Sequence, residues 1–377
     1  MRLLVSLILL SQVVSLFAAT LPPGFVEVQL AGDLDPTGMA QAPDGRIFII
    51  EKFGSIRIVE NGVLLPDPFL RLAVDSINER GLSGIAFHPD FATNGYVYLY
   101  YTVASKGHNR LSRVKALGNY AIPGSEEVLL ELDPLISNVH NAGAMTFGAD
   151  GKLYLAVGDS GSGITANSLQ SLLGKILRLN PDGTIPQDNP FYNQNTGIYR
   201  SIYAMGLRNP FSLAIQPGTH RLFVCDVGSE FFEEINEIKP GKHYGWNLLE
   251  GKRTSQNTPD NYQDPLYSYP HSLGCAVVGA TFYNPAVPKF PSNYIGRFFF
   301  ADYCKNYIKV LNTVTGQVAS TFAAGVDRPV ALLTGQGGEF YYLTRGKHAN
   351  EGALWRVDYV GQGIPVISVQ PKSTLVL

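Results

Sequence analysis

One phrase recurs along this chain: a turn built on Gly, Pro, Asp or Asn, followed by a strand of apolar and aromatic residues. "QAPDGRIFIIEKFGSIRIVENG", from Gln41, states it in full as turn, strand, second turn and second strand. Its opening returns in "HPDFATNGYVYLYYTV" from His88, "GADGKLYLAVGD" from Gly148 and "QPGTHRLFVCDVG" from Gln216. "PSNYIGRFFFADYCKNYIKVLN" from Pro291 and "GQGGEFYYLTRGKHANEGALWRVDY" from Gly335 bring the number to about six. A unit of this size cannot bury its apolar faces alone, so the repeats must stack on one another. The repeat therefore predicts an all-β fold, a six-bladed β-propeller in a single domain. Irregular spacing between units keeps two stacked β-sandwich domains as the alternative.

Composition agrees with many short strands. Of the 377 residues, 39 are Gly and 24 Pro, spread along the chain, as tight turns require. An apolar fraction of 45% is ample for a core, and only 16% of residues are charged. A net charge of −2 gives no electrostatic reason to expect nucleic acid or an anionic membrane as a partner.

The amino terminus, "MRLLVSLILLSQVVSLFAAT", places one Arg before an apolar run that ends in small residues. This pattern predicts a signal peptide over residues 1–19, a domain over 20–377, and a secreted, extracellular or periplasmic protein. No later segment has the apolar length of a membrane span. An exported chain permits a disulfide, and Cys275 with Cys304 is the preferred pair because they lie in consecutive late segments. Cys225 reads as a small buried apolar residue.

Radial strands bring polar residues from distant blades to the rim of a central channel. His140 precedes the strand of one unit and Asp159 follows its "LYLAVGD". Neither belongs to the repeat, and a histidine with an orienting carboxylate makes a general base. Arg208 and Asn209 lie just before another strand, where they offer several donors to an anionic ligand. Glu230, Glu233 and Glu234 crowd ahead of Tyr244, Gly245 and Trp246, a pattern that suits either Ca²⁺ or a solvated acidic turn. His88 reads as a structural cap, and His108, His220, His271 and His348 fall in polar loops without metal-ligand spacing.

Taken in order, "ERGLSGIAFHPDF", "VHNAGAMTFGADGKLYLAVGD", "GKILRLNPDG", "GLRNPFSLA" and "EEINEIKPGKHYGWN" resemble the glucose/sorbosone dehydrogenase family. That family includes exported six-bladed propellers that use PQQ (pyrroloquinoline quinone) and Ca²⁺ to oxidise aldoses. The resemblance implies that His140 is the general base, that Asp159 orients it, and that Arg208 stabilises charge on the reduced cofactor. It implies cofactor contacts from Asn209, Glu79, Lys305 and Arg328. Gly228 and Ser229 match the loop whose carbonyls hold a catalytic Ca²⁺, and Glu234 with the Tyr244 carbonyl matches a second, structural Ca²⁺ site. Four positions depart from the family's better-known members: Ser229 replaces Pro, Val227 replaces His, Val326 replaces Arg, and Glu79 replaces an amide.

The implied activity is a secreted quinoprotein that oxidises an aldose to its lactone and passes electrons to an external acceptor. A non-catalytic propeller that binds a glycan or a protein, and a metal-dependent lactonase, are the alternatives, because a fold does not fix a function.

Overall fold

The computed structural model describes residues 19–253 and 258–361. The signal peptide expected over residues 1–19 therefore lies, apart from Ala19, outside the described residues. Six antiparallel sheets follow one another along the chain, five built from consecutive segments and the last completed by the strand Phe25–Leu34. Their first strands are Pro36–Gln41, Leu82–Phe87, Ala142–Phe147, Pro210–Ile215, Val277–Tyr283 and Pro329–Thr334, for blades I to VI. These six strands touch their neighbours in a closed ring, blade VI meeting blade I. The expected six-bladed propeller is thus the observed fold.

Each second strand lies between two blades and has both faces covered. Leu153–Val157, Leu222–Asp226 and Phe340–Thr344 are buried at every position, which is why they read as unbroken apolar runs. "GKILRLN" holds a strand buried at every position as well, Lys175–Leu179, the third of blade III. The core divides into six apolar clusters, one at each blade interface. Strand Phe25–Leu34 closes the ring by pairing antiparallel with Gly352–Tyr359, so blade VI is built from both ends of the propeller. Phe25 anchors this closure against Phe290, Tyr294, Phe322 and Tyr359.

Two repeated devices shape the channel mouth. Every first strand has a register shift beside its opening pair, as at Pro36/Gly38, Leu82/Gly84 and Pro210/Ser212. Blades III, V and VI carry theirs at Ala142/Met145, Val278/Ala280 and Pro329/Ala331. Such bulges re-aim side chains, and Thr37, Ser83, Phe211 and Val330 at these shifts line the central cavity.

The second device is an acid at the end of a second strand that ties down the residues entering the first. Glu51 accepts the Asp35 N–H, Asp226 those of Arg208 and Asn209, and Asp302 those of Cys275 and Ala276. Cys275 and Cys304 form the expected disulfide across this turn of blade V, and Cys225 is fully buried.

Candidate active site

His140 and Asp159 meet at the mouth of blade III. His140 Nδ1–H donates to Asp159 Oδ1 at 2.7 Å, a tautomer set by the carboxylate, which leaves Nε2 free to accept a proton. The His140 side chain is 14% exposed and Asp159 1%, so the imidazole reaches solvent while its partner does not. Asp159 Oδ1 also accepts the Gly161 N–H, and Oδ2 accepts Trp246 Nε1–H at 2.7 Å.

The backbone of His140 is held as firmly. Its φ of +53° is a left-handed conformation that a non-glycine residue adopts only when its surroundings impose it. Glu79 Oε2 accepts the His140 N–H at 2.7 Å, while the Glu79 N–H donates to the Asn138 carbonyl. Ser160 Oγ accepts the N–H groups of Ile136 and Ser137 from the same loop. Glu79 therefore positions the histidine as well as lining the cavity.

Arg208 and Asn209 enter blade IV beside this pair. The Arg208 guanidinium sits 5.4 Å from the Trp246 ring and donates to the Val227 carbonyl. Its Nε and the Asn209 Oδ1 are buried without a partner. Asp226, fully enclosed beneath them, is pushed up to about 7 by burial, against the pull of the two N–H groups it accepts.

A cavity of about 370 Å³ fills the ring's mouth, with Glu79, Asn141, Asn209, Val227 and Tyr303 among its walls. Lys52 and Arg345 also line it, and the sequence reading missed both. Each directly follows the second strand of its blade, in "IIEKFG" and "YLTRGK", the same place as Val227 and Tyr303. That shared place in the repeat was the available signal.

Lys305 is exposed and its backbone N–H donates to Asp302 Oδ1; like His140, Asp159, Arg208 and Arg328, it is not among the residues that line this cavity. Arg328 has φ +50° and stands 5.8 Å from the Tyr303 ring, with its guanidinium on the carbonyls of Gly346 and Lys347.

The acidic stretch is not a solvated turn. Glu233 and Glu234 lie on strand Phe232–Ile238 and both are buried, whereas Glu230 is exposed. Burial first, and Asp226 next, push Glu234 up to about 8. Its oxygens accept the Gly251 N–H and the Asn236 amide, whose own Oδ1 is buried without a partner. The Tyr244 hydroxyl donates to the Glu237 carbonyl. Glu250, a second residue missed in sequence, accepts the Ser229 N–H at 2.6 Å and also those of Glu230, Phe231 and Phe232, which shapes the Gly228–Ser229 loop. Among the described residues no three His, Cys, Asp or Glu side chains come together as a metal cage.

His88 caps its turn by accepting the Asp90 N–H. His108 departs from the loop expected for it: it opens strand His108–Leu117 and pairs with Glu131. His243, unremarked in sequence, fixes the turn before Trp246, with Nε2–H on Asn167 and Nδ1 accepting from Gly245.

Fold and site together define a six-bladed propeller with a histidine–carboxylate pair and uncommitted cations around its channel mouth. The chain belongs to the Glucose / Sorbosone dehydrogenase family, whose model matches residues 34–356. It is 32% identical over 257 residues to the aldose sugar dehydrogenase YliI of Escherichia coli, covering 65% of this chain and 67% of that one. It is 30% identical over 246 residues to quinoprotein glucose dehydrogenase B of Acinetobacter calcoaceticus, covering 57% and 51%. The chain thus spans from half to two thirds of the length of these curated relatives. The PQQ-bound aldose sugar dehydrogenase of Streptomyces coelicolor has a similar structure, with a TM-score of 0.73 and 25% identity over 90% of this chain and 99% of that one.

Proposed function

We propose that this protein is an exported dehydrogenase that oxidises an aldose at its anomeric carbon to the lactone, using PQQ and Ca²⁺. The observation that carries the reading is the His140–Asp159–Trp246 chain of hydrogen bonds, which leaves Nε2 free on the residue directly before cavity-lining Asn141.

The residues present fit a planar tricarboxylate quinone. Lys52 and Arg345 offer positive charge in the cavity wall, and Asn209 Oδ1 and Arg208 Nε lack protein partners. The unpartnered Asn236 Oδ1 beside the Glu234 carboxylate suits a hard cation, as do loop carbonyls at Gly228 and Ser229. When bound, PQQ would supply the two-electron acceptor and Ca²⁺ the polarisation of its carbonyl.

The chain's own residues account for the proton. His140 Nε2 takes it from the anomeric hydroxyl, and Asp159 holds the ring in the required tautomer and stabilises the imidazolium that forms. Trp246 keeps Asp159 in place, Glu79 keeps the His140 backbone in its left-handed turn, and the Arg208 guanidinium balances negative charge in the cavity.

The test follows dye reduction by the purified protein with PQQ, Ca²⁺ and a panel of aldoses, together with its melting temperature. The expected result is sugar-dependent turnover and a PQQ-dependent rise in Tm, because a ligand bound only by the native state stabilises it. His140→Ala should abolish turnover and leave PQQ binding in place. Lactone hydrolysis without PQQ would establish the lactonase instead, and the absence of turnover and of any PQQ-dependent shift would leave a binding propeller.

A further inference from the structure

We propose that Lys52 and Arg345 form an anion seat of the channel mouth and hold a carboxylate of the quinone cofactor, beside the cations assigned by resemblance. The inference rests on the proposed PQQ-dependent function and names residues that the family resemblance did not supply.

Lys52 and Arg345 come from neighbouring blades, I and VI, and occupy the same place in the repeat. The Lys52 N–H donates to the Asp35 carbonyl and the Arg345 N–H to the Arg328 carbonyl, so both backbones are fixed at the rim. Both are half-buried and both line the cavity. Neither side chain forms a hydrogen bond or an ion pair with another side chain among the described residues.

Two cations on one cavity wall repel each other. Burial, and then the charge of Arg345, hold Lys52 below its ordinary value, with Asp35 and Glu79 opposing the shift. Asp35 and Glu79 offset this charge only at a distance, because neither forms an ion pair with Lys52 or Arg345 among the described residues. An anion entering between the two cations relieves their repulsion and gains charge-assisted hydrogen bonds, with Arg offering a planar fork to a carboxylate.

Opposite this wall, the Asn209 carboxamide oxygen and the Asn141 amide nitrogen are buried without partners, and both residues line the cavity. Charge on one side and unpaired amides on the other suit a flat, polar, polyanionic ligand.

The test is calorimetric titration of PQQ, with Ca²⁺ present and no sugar, into the full protein and into Lys52→Met, Arg345→Met and the double variant, each checked for a native melting transition. Each single substitution should weaken binding by about 10- to 100-fold, the span expected for losing one charged hydrogen bond. Lys52→Arg should recover most of the loss. Wild-type binding that survives the double substitution, with the loss falling on Lys305→Met, overturns the seat alone. A wild type that binds no PQQ overturns the seat together with the proposed function.

Discussion

Trp246 donates its indole N–H to Asp159 Oδ2 at 2.7 Å, on the oxygen opposite the one that holds His140. The bond joins two loops that are 87 residues apart in the chain and makes the indole the third member of the proposed catalytic chain. It also places the ring under Arg208, whose guanidinium lies 5.4 Å away. Trp246→Phe keeps an aromatic face for Arg208 and removes only the N–H. A buried carboxylate oxygen then loses its partner, a loss of roughly 1–3 kcal/mol. The expected outcome is a Tm reduced by a few degrees and kcat reduced more than KM is raised, read from denaturation curves and steady-state rates. A variant with unchanged kcat would remove Trp246 from the chain.

Gly158 shows how closely the histidine loop packs on its own blade. A Cβ at this position would stand 2.0 Å from the His140 carbonyl oxygen and 3.2 Å from Asn209 Oδ1. The obstacle is backbone, so a larger residue cannot be accommodated by a side-chain rotation. Gly158→Ala should displace His140 from Asp159, costing about 1–3 kcal/mol in stability as overpacking does. Turnover should fall by at least tenfold, the low end of the loss expected when proton transfer is misaligned. Rates that match wild type at full occupancy would show that the loop absorbs the methyl group.

The parts of this site that were legible in the sequence are those that broke the repeat. His140 and Asp159 stood out because no other unit has them, and the propeller explains why they meet: they flank the first two strands of one blade. Lys52 and Arg345 were hidden because each sits inside a repeat phrase, where a charged residue after a strand resembles an ordinary turn. Whether such a residue faces the channel depends on ring closure, which no local pattern carries.

The exposure of Lys305 was not legible: within "ADYCKNY" Asp302 captures the N–H groups of Cys304 and Lys305, and the turn they form leaves the lysine exposed. The burial of Glu233 and Glu234 was likewise not legible, because two adjacent acids on a strand fill opposite faces only where neighbouring segments supply donors. Val277 and Gly251 supply them here.

The disulfide ties together the two loops that flank Asp302 on the mouth of blade V. Cys275 and Cys304 are 29 residues apart, and their Cα atoms are 5.7 Å apart. For a loop of that length the cross-link contributes roughly 3–4 kcal/mol, chiefly by restricting the unfolded chain. Cys275→Ser/Cys304→Ser should therefore lower Tm by several degrees, as should reduction of the wild type. A reductant that shifts the wild type but leaves the double variant unmoved identifies the bond as the cause. Equal sensitivity of both proteins would contradict it.

Ring closure carries a half-buried acid whose behaviour with pH is specific. Glu27, on the strand that completes blade VI, accepts from the Tyr342 hydroxyl and from the Ala19 N–H. Burial raises its pKa above the ordinary carboxylate value, and these two hydrogen bonds oppose the rise without cancelling it. The folded state therefore binds this proton more tightly than the unfolded chain, and holds the excess proton between the ordinary carboxylate pKa and the raised one. The contribution of Glu27 to stability falls as pH rises through its folded pKa. Glu27→Gln keeps an acceptor for one donor, while the Tyr342 hydroxyl can rotate to accept from the amide, and the variant carries no charge to bury. The stability of Glu27→Gln relative to wild type should accordingly be lowest near pH 4 and increase toward neutral pH before levelling off. Urea denaturation of both proteins across pH 4 to 8 measures the difference. A difference that is flat with pH, or that shrinks as pH rises, would show that Glu27 is held as a carboxylate at the seam.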